Sequence, residues 1–221
     1  MNDTIFASNT PARRVEGMLK ARMAVGRGEV VCIPTDTRYA LVVNAFKVSA
    51  LEKLRTVRNM RGGAPLSVLI PGIPTLSALA GEVHPEVLSL AKEFWPGALT
   101  LIVHAGESIA WDLGATGGSV ALRMPADRVA AELLSETGPL AHSGAFRVGE
   151  KPLMSLPAIA KRFESEVSVY LSGAEVKPGR TLSTVVDATS LGNPGGKLIL
   201  AREGALSLEE MHQIVPPESW A

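Results

Sequence analysis

The apolar positions of this 221-residue chain follow a helical period in some segments and run consecutively in others. Apolar residues three or four positions apart predict a helix over 13–26, which Gly26 and Gly28 would end. The same spacing predicts further helices over 48–57, 85–94, 126–136, 157–163 and 206–215. Short apolar runs predict strands at 30–33, 65–70, 99–103, 120–122, 167–171, 184–186 and 198–200. This alternation of strands and helices indicates an α/β fold.

A single domain is the simplest organisation for this pattern. The chain has no internal repeat and no low-complexity linker, and its length suits one large domain, so we predict one domain over 1–221. A turn-rich loop without a helical period joins 99–103 to 120–122. These two strands are therefore candidates for antiparallel pairing.

One predicted strand ends in a group of polar side chains. Val30–Ile33 is a consecutive apolar run, typical of a strand covered on both faces, and Pro34 ends it because proline has no N–H to donate. Thr35, Asp36 and Thr37 follow at the C-terminal end of this strand, where open α/β sheets place ligands. The alternative is that Thr35 or Thr37 only caps a helix or closes a turn.

Composition narrows the classes of function. With 46% hydrophobic and 20% charged residues the chain can bury a sizeable core, which argues against disorder. Its formal net charge is zero, whereas a broad electrostatic binder of nucleic acid is normally basic, so we expect any RNA contact to be local or indirect. The single cysteine, Cys32, excludes an internal disulfide and is expected to be an inert core thiol. No apolar run could span a bilayer and no signal-peptide pattern is present, so we expect a soluble, cytoplasmic protein without membrane contact.

Standard catalytic and metal signatures are absent from the sequence. There is no G-x-G-x-x-G after a strand, no G-x-x-x-x-G-K-[ST] and no G-x-S-x-G. The four histidines show no metal-ligand spacing, so no metal site is predicted, and no residue is singled out as a catalytic acid or base.

Polar clusters at predicted strand ends remain as candidates. They lie at 35–39, 58–65, 119–125, 183–187 and 202. Each alone has a plain structural explanation: Arg58 could interact with a helix C-terminus, Arg123 could belong to a surface ion pair, and Ser183 could begin a strand. Together, hydroxyls and guanidinium groups describe a cavity that binds an anion. Phosphoryl or nucleotidyl transfer needs little more, since its catalysis is mostly positioning and charge stabilisation.

Five segments resemble, in order, the motifs of one known family. Pro34–Leu41 resembles P-T-[DE]-T-x-Y-G-L, and Trp95–Thr100 resembles W-P-G-P-L-T. Ser119–Pro125 resembles T-V-A-V-R-V-P, Ser183–Asp187 resembles S-T-V-V-D, and Leu200–Gly204 resembles L-x-R-x-G. These are the motifs of the YrdC-like family, the threonylcarbamoyl-adenylate synthases.

The resemblance implies a fold, an activity and substrates. The family fold is a twisted, mixed parallel and antiparallel α/β sheet flanked by helices around a concave basic cavity, and the matching core covers about 12–215. Its activity joins L-threonine, bicarbonate and ATP into threonylcarbamoyl-AMP and pyrophosphate, with Mg²⁺ accompanying ATP. The product serves the threonylcarbamoyladenosine modification of tRNA, which adds tRNA and double-stranded RNA binding to the expected partners.

The resemblance also implies roles for individual residues. Thr35 and Arg123 would hold the hydroxyl and carboxylate of L-threonine, with Ser183 helping. A guanidinium can donate two parallel hydrogen bonds to a carboxylate or a phosphate, which suits the arginines. The residues expected to face the nucleotide and its phosphates are Arg58, Ser119, Ser143 and Arg202.

Several departures from the family pattern fall at the expected nucleotide site. Met60 stands where the family has an arginine, and the nearby Arg61 is the candidate replacement. Gly144 and Phe146 stand where the P-S-A-N motif has serine and asparagine. Phe146 could stack on a base or simply fill the site.

These departures leave three hypotheses open. The first is a working synthase with a divergent nucleotide site. The second is a YciO-type paralogue, in which Y-A-L also replaces Y-G-L, as Ala40 does here, and which acts on another nucleotide or carbamoyl-adenylate. The third is a non-catalytic module that binds nucleotide or RNA. Arg38 adds a charge where an apolar residue is usual.

Overall fold

The computed structural model describes residues 5–6, 10–107, 109, 111–173 and 182–221, and these contain one sheet of ten strands. The strands are β1 (Ile5–Phe6), β2 (Val31–Ile33), β3 (Ala40–Asn44), β4 (Ser67–Leu69), β5 (Leu99–His104), β6 (Ser119–Arg123), β7 (Leu140–Gly144), β8 (Val169–Leu171), β9 (Thr184–Asp187) and β10 (Ile199–Arg202). The helices are α1 (Pro11–Arg27), α2 (Val48–Val57), α3 (Ile73–Leu79), α4 (Pro85–Phe94), α5 (Arg128–Thr137), α6 (Leu156–Phe163) and α7 (Leu208–His212). The strand order is β1-β8-β2-β3-β7-β4-β6-β5-β9-β10.

The sheet mixes parallel and antiparallel pairs, as the family resemblance implies. The antiparallel pairs are β2–β3, β3–β7, β4–β7, β5–β6 and β9–β10. The parallel pairs are β1–β8, β2–β8, β4–β6 and β5–β9. The prediction that 99–103 and 120–122 pair antiparallel is confirmed, since they are β5 and β6.

Helices pack on both faces of the sheet. On one face α1 and α5 cover β2, β3 and β8, with Ala21 and Leu133 fully buried between them. On the opposite face α2, α4 and α6 contribute Leu54, Leu90 and Phe163 to a larger apolar core. Strand β2 therefore lies between two apolar layers, which is what its unbroken hydrophobic run predicts.

Helices α1 and α5 cover only part of one face of the sheet. The rest of that face is open. Side chains of a strand alternate between the two faces, so every second residue of a strand there points to the open side. In β6 these are Ser119, Ala121 and Arg123, whereas Val120 and Leu122 belong to the apolar core behind the sheet. Small and polar residues on the open side leave a hollow whose floor is the sheet itself.

The predicted elements are present with bounds that differ by a few residues, but the predictions do not include β1, β3, β7 or α3. Strand β7 has the sequence LAHSG, which lacks the β-branched apolar run typical of a buried strand. Strand β3 begins directly after the turn formed by the polar segment 35–38, so the sequence pattern does not indicate where the strand starts. Both missing strands form part of the open side of the sheet.

Candidate active site

A cavity of about 560 Å³ occupies the open side of the sheet. Strands β3, β4, β5, β6, β7 and β9 contribute to its lining, as do the β2–β3 turn and the segments after α2 and β7. No Asp or Glu lies among the described residues that line it. Its guanidinium groups belong to Arg38, Arg58, Arg123 and Arg202. The cavity is therefore rich in positive charge and in hydrogen-bond donors.

The turn between β2 and β3 is closed by the hydroxyl group of Thr35. Thr35 Oγ1 accepts hydrogen bonds from the backbone N–H groups of Thr37 (3.3 Å) and Arg38 (3.1 Å). The same hydroxyl donates to the carbonyl oxygen of Arg38 at 2.5 Å. The turn-closing alternative considered from the sequence thus applies, and Thr35 and Thr37 also line the cavity.

Arg123, at the end of β6, is held on three sides by other parts of the chain. Its Nε donates to the carbonyl oxygen of Gly97 at 3.0 Å. Its Nη1 donates to Thr37 Oγ1 at 2.9 Å, and its Nη2 forms an ion pair with Asp36 Oδ2 at 2.7 Å. Position 97 must be glycine in this conformation, because a Cβ there would lie 2.4 Å from the carbonyl oxygen of Phe94. The buried guanidinium is therefore fixed by the W-P-G segment and by the Thr-Asp-Thr turn.

Ser183 joins two neighbouring polar side chains just before β9. Its Oγ lies 2.9 Å from Thr100 Oγ1 and accepts a hydrogen bond from Arg202 Nη2 at 3.2 Å. The Ser183 carbonyl oxygen also accepts from Nε and Nη2 of Arg202, at 3.2 and 2.9 Å. Arg202 is an exposed residue, whereas Ser183 and Thr100 are buried. Arg202 consequently stands over the cavity with its guanidinium steadied by the backbone of 183.

Arg58 follows the last turn of α2 and is 6% exposed. Its Nε donates to Ser143 Oγ at 2.9 Å, and its guanidinium carbon lies 4.4 Å from the centroid of the Phe146 ring. Its Nη1 is buried without a hydrogen-bond partner, and Arg58 forms no ion pair within the described part of the chain. A buried donor without a partner is costly, so this group is suited to meet an acceptor on a ligand.

The residues at 144 and 146 form one packing unit. A Cβ at Gly144 would lie 2.4 Å from Cε1 of Phe146, so the aromatic ring occupies the space of a side chain at 144. Across the β3–β7 pair, Gly144 lies opposite Ala40. Ser143 Oγ also lies 3.9 Å from the sulfur of Met60. The positions that depart from the family pattern are therefore neighbours, and the departures at 144 and 146 fit each other sterically.

Burial controls the protonation of the cavity. Burial lowers the pKa of Arg58 to about 10, opposed by the charge of Glu150. Burial also lowers the pKa of Arg123, opposed by Asp36. Burial, and then the charge of Arg123, lowers the pKa of His142 to about 3. At neutral pH the arginines are charged and His142 is neutral, with its Nε2 buried and unpartnered.

The structure brings all of the sequence-predicted site residues to this one cavity. These are Thr35, Arg58, Ser119, Arg123, Ser143, Ser183 and Arg202. Ser119 lies at the edge and also lines a second cavity of about 610 Å³. Arg61, the candidate replacement for the arginine missing at 60, is exposed and lies outside the lining.

Two lining residues, Thr100 and His142, have no role in the sequence-based assignment. Thr100 occupies an alternate position in β5, whose other face is apolar, with Leu99 and Leu101 flanking it in the core. This alternation is visible in the sequence of β5 and could have identified Thr100. His142 lies in the unpredicted strand β7, so no comparable signal was available.

The described residues offer neither a metal centre nor a membrane-spanning helix. They contain no group of three or more His, Cys, Asp or Glu placed to hold a metal ion. None of the described helices combines the length and the hydropathy needed to cross a bilayer.

Comparisons with known proteins identify relatives along most of the chain. A Mycobacterium tuberculosis protein named as a candidate threonylcarbamoyl-AMP synthase is 34% identical over 212 residues, which is 95% of this chain and 94% of the relative. The threonylcarbamoyl-AMP synthase of Pyrococcus abyssi is 34% identical over 203 residues, 89% of this chain and 57% of the relative. The crystal structure of P. abyssi Sua5 complexed with L-threonine matches with a TM-score of 0.83 at 28% identity, covering 96% of this chain and 60% of that chain. The chain thus spans nearly all of the mycobacterial relative and under two thirds of the archaeal ones.

A family model gives the same result. The Sua5/YciO/YrdC model, described as telomere recombination, matches residues 23–204. The mixed sheet flanked by helices agrees with the Sua5 structure. On the family match and the mycobacterial relative together, the chain belongs to the Sua5/YciO/YrdC family.

Proposed function

We propose that this chain is a threonylcarbamoyl-AMP synthase, which joins L-threonine, bicarbonate and ATP into threonylcarbamoyl-AMP and releases pyrophosphate. The observation that supports this proposal most is the convergence of seven hydroxyl and guanidinium residues, predicted from separate motifs, on one cavity without a described carboxylate. Relatives that carry the synthase name support the same activity. The anionic substrates match the charge of the cavity.

The Arg123 side of the cavity suits L-threonine. Arg123 has five N–H donors, and the chain engages its three nitrogens once each, through Gly97, Thr37 and Asp36. The remaining donors can meet a carboxylate in a fixed orientation. Ion pairing with Asp36 leaves little net charge there, which suits a zwitterionic amino acid better than a polyanion. Thr35 and Ser183 would then accept or donate hydrogen bonds at the threonine hydroxyl.

The nucleotide is assigned to the other lining residues. Arg58 offers an unpartnered buried donor, and Ser143 orients it through the hydrogen bond to Nε. Ser119 and Arg202 complete the group from the sequence-based assignment, at the edge and over the mouth of the cavity. Guanidinium groups recognise phosphates through paired, charge-assisted hydrogen bonds.

The proposed reaction needs positioning and charge stabilisation more than an acid or base. The amine nitrogen of L-threonine first forms a C–N bond to the carbon of bicarbonate, whose C–O bond breaks with loss of water, and an oxygen of the resulting carbamate then attacks the α-phosphorus of ATP. The new P–O bond forms as the bond to the β-phosphate oxygen breaks, and pyrophosphate leaves with its electron pair. Cationic side chains stabilise that leaving charge. Magnesium would arrive with ATP as the MgATP substrate, since the described lining supplies no carboxylate.

The product would serve tRNA modification in the cytoplasm. The formal net charge of zero supports a local or indirect contact with tRNA rather than a broad surface for double-stranded RNA.

The test is pyrophosphate release by the purified chain with MgATP and bicarbonate, in the presence and absence of L-threonine. Threonine-dependent release, with threonylcarbamoyl-AMP detected by mass spectrometry, is the expected result. Nucleotide turnover without L-threonine would instead indicate a paralogue with another substrate. Nucleotide binding without turnover would indicate a binding module.

A further inference from the structure

Arg38 combines a fixed backbone with unused donor groups. Its N–H and carbonyl groups are both bonded to Thr35 Oγ1, at 3.1 and 2.5 Å. Its side chain lines the cavity, where Nε is buried without a hydrogen-bond partner. Within the described part of the chain Arg38 forms no ion pair. The fold therefore positions this arginine while leaving its charge available.

Strand register brings Arg38 to the same end of the cavity as Arg58. Ala40 lies opposite Gly144, and the N–H of Ala145 donates to the carbonyl oxygen of Tyr39 at 3.1 Å. The chain bends directly after this contact, where the N–H of Phe146 donates to the carbonyl oxygen of Gly144 at 2.9 Å, so Arg38 and Phe146 flank the last bond between the two segments. The Phe146 ring is the surface on which Arg58 packs, at 4.4 Å. Two cationic side chains with buried, unpartnered N–H groups thus line the same cavity.

The chemistry of this region differs from that around Arg123. There, a carboxylate neutralises the guanidinium at 2.7 Å. Neither Arg38 nor Arg58 has such a partner, and no carboxylate lines the cavity among the described residues. Two neighbouring cations repel each other and lose hydration on burial, and a ligand with at least two negative charges relieves both costs.

We propose that Arg38 is a phosphate-binding residue, which together with Arg58 holds the terminal phosphates of the nucleoside triphosphate and the pyrophosphate that leaves. The inference rests on the proposed function for the identity of the nucleotide. It adds Arg38 to the residues that bind phosphate, and it adds a preference for ligands with two or more phosphates. Because pyrophosphate and ATP offer adjacent phosphates to the two guanidinium groups whereas AMP offers one, the site prefers ATP and pyrophosphate over AMP.

Calorimetric titration of the full chain with inorganic pyrophosphate, ATP, AMP and L-threonine tests this proposal. Arg38→Gln should weaken pyrophosphate and ATP binding about tenfold, the usual effect of losing charge-assisted hydrogen bonds. AMP and L-threonine affinities should change by less than about twofold, which also verifies that the variant is folded. Arg61→Gln is the matched control, since Arg61 is an exposed arginine near Arg58 and outside the lining.

Three outcomes would overturn the proposal. They are wild-type pyrophosphate affinity in Arg38→Gln, equal losses in Arg38→Gln and Arg61→Gln, and no pyrophosphate binding by the wild-type chain. If Arg38→Gln does not fold, Arg38→Lys keeps the charge without the planar fork and should lose part of the pyrophosphate affinity. Wild-type affinity in that variant would also count against the proposal. These are binding measurements, which do not depend on turnover. Absence of threonine-dependent turnover would therefore refute the proposed function without affecting the test of phosphate binding by Arg38.

Discussion

The two ends of one cavity both contain buried arginine side chains, but these differ in how many protein partners they have. At the Arg123 end, formed by Arg123, Asp36, Thr37 and Gly97, Nε and Nη1 of the guanidinium donate hydrogen bonds and Nη2 is ion-paired with the Asp36 carboxylate. At the Arg58 end, formed by Arg58, Ser143, Phe146 and Arg38, the guanidinium groups keep buried donors without partners.

This difference indicates that Arg123 mainly stabilises the fold, whereas Arg58 is available to bind a ligand. A buried charge that is paired stabilises the fold as long as both partners remain, and removing one partner leaves the other exposed to a desolvation cost. A buried charge without a partner adds little to folding and is satisfied only when an anion arrives. The Arg123 end should thus be a rigid element of the fold, and the Arg58 end should be stabilised by its ligand.

The largest expected effect comes from Arg123→Ala. Loss of the guanidinium takes the buried ion-pair partner from Asp36, which keeps its hydrogen bond from the Ala126 N–H, and should lower the free energy of unfolding by about 3–5 kcal/mol. Threonine-dependent pyrophosphate release should fall at least about 100-fold, since two charge-assisted bonds to the carboxylate are lost. Urea unfolding and pyrophosphate assays measure the two effects.

Arg123→Lys is the matched variant, because it keeps a charge near Asp36 without the planar donors. It should recover part of the stability and little of the activity. Unchanged L-threonine affinity in Arg123→Ala would refute the assignment of this end to L-threonine.

Arg58→Gln should give the reverse balance. ATP affinity should fall about tenfold or more, whereas the free energy of unfolding should change by less than about 1 kcal/mol, because an uncompensated buried charge is removed. Calorimetry and urea unfolding separate the two quantities. A stability loss as large as that of Arg123→Ala would end the distinction between the two ends.

Gly144→Ser tests the packing at the Arg58 end. The new Cβ meets the Phe146 ring, so the variant should lose about 1–3 kcal/mol of stability. Phe146→Asn should weaken ATP binding a few-fold, since it removes a cation–π contact worth about 0.5–2 kcal/mol that steadies Arg58.

The double variant Gly144→Ser/Phe146→Asn should be more stable than the sum of the single losses predicts. Gly62→Ser is the control, because a Cβ at Gly62 meets nothing within 4 Å. Tighter ATP binding by Phe146→Asn would mean that the aromatic ring impairs the site.

The last effect concerns His142, which lines the same cavity, and it develops only as the pH falls below neutrality. Its pKa is lowered to about 3 in the folded chain, against an ordinary value of 6.5, so the unfolded chain takes up a proton that the folded chain refuses. Its contribution to stability is complete above pH 6.5 and is lost as the pH falls through about 3, at no more than about 1.4 kcal/mol per pH unit.

His142→Gln should flatten the acid side of the stability curve, measured by urea unfolding between pH 4 and pH 7. His104→Gln, at an exposed position, is the comparison variant. Equal slopes in the two variants would contradict the role given to burial at 142.

The sequence predicted the frame of the molecule better than the details of its Arg58 end. Helical periodicity located α1, α2 and α4, and the polar residues after β2 marked one wall of the cavity, since apolar runs broken by proline are local signals. Strand β7 was not predicted because its residues line a polar hollow and lack the apolar pattern of a buried strand. The fit of Gly144 to Phe146 depends on where a ring lies in space, and the exposure of Arg61 depends on the path of a loop.

The position of β7 in the sheet determines the stage of synthesis and folding at which the cavity can form. It separates β3 from β4, although about a hundred residues of chain lie between β3 and its partner, so pairing must wait until residue 144 has been synthesised. A nascent or truncated chain that stops before Leu140 would expose two strand edges at its centre, each a template for unwanted association. Joining the two central parts of the cavity floor and covering these two strand edges are thus one event in folding, after which β9 adds the remaining part of the floor.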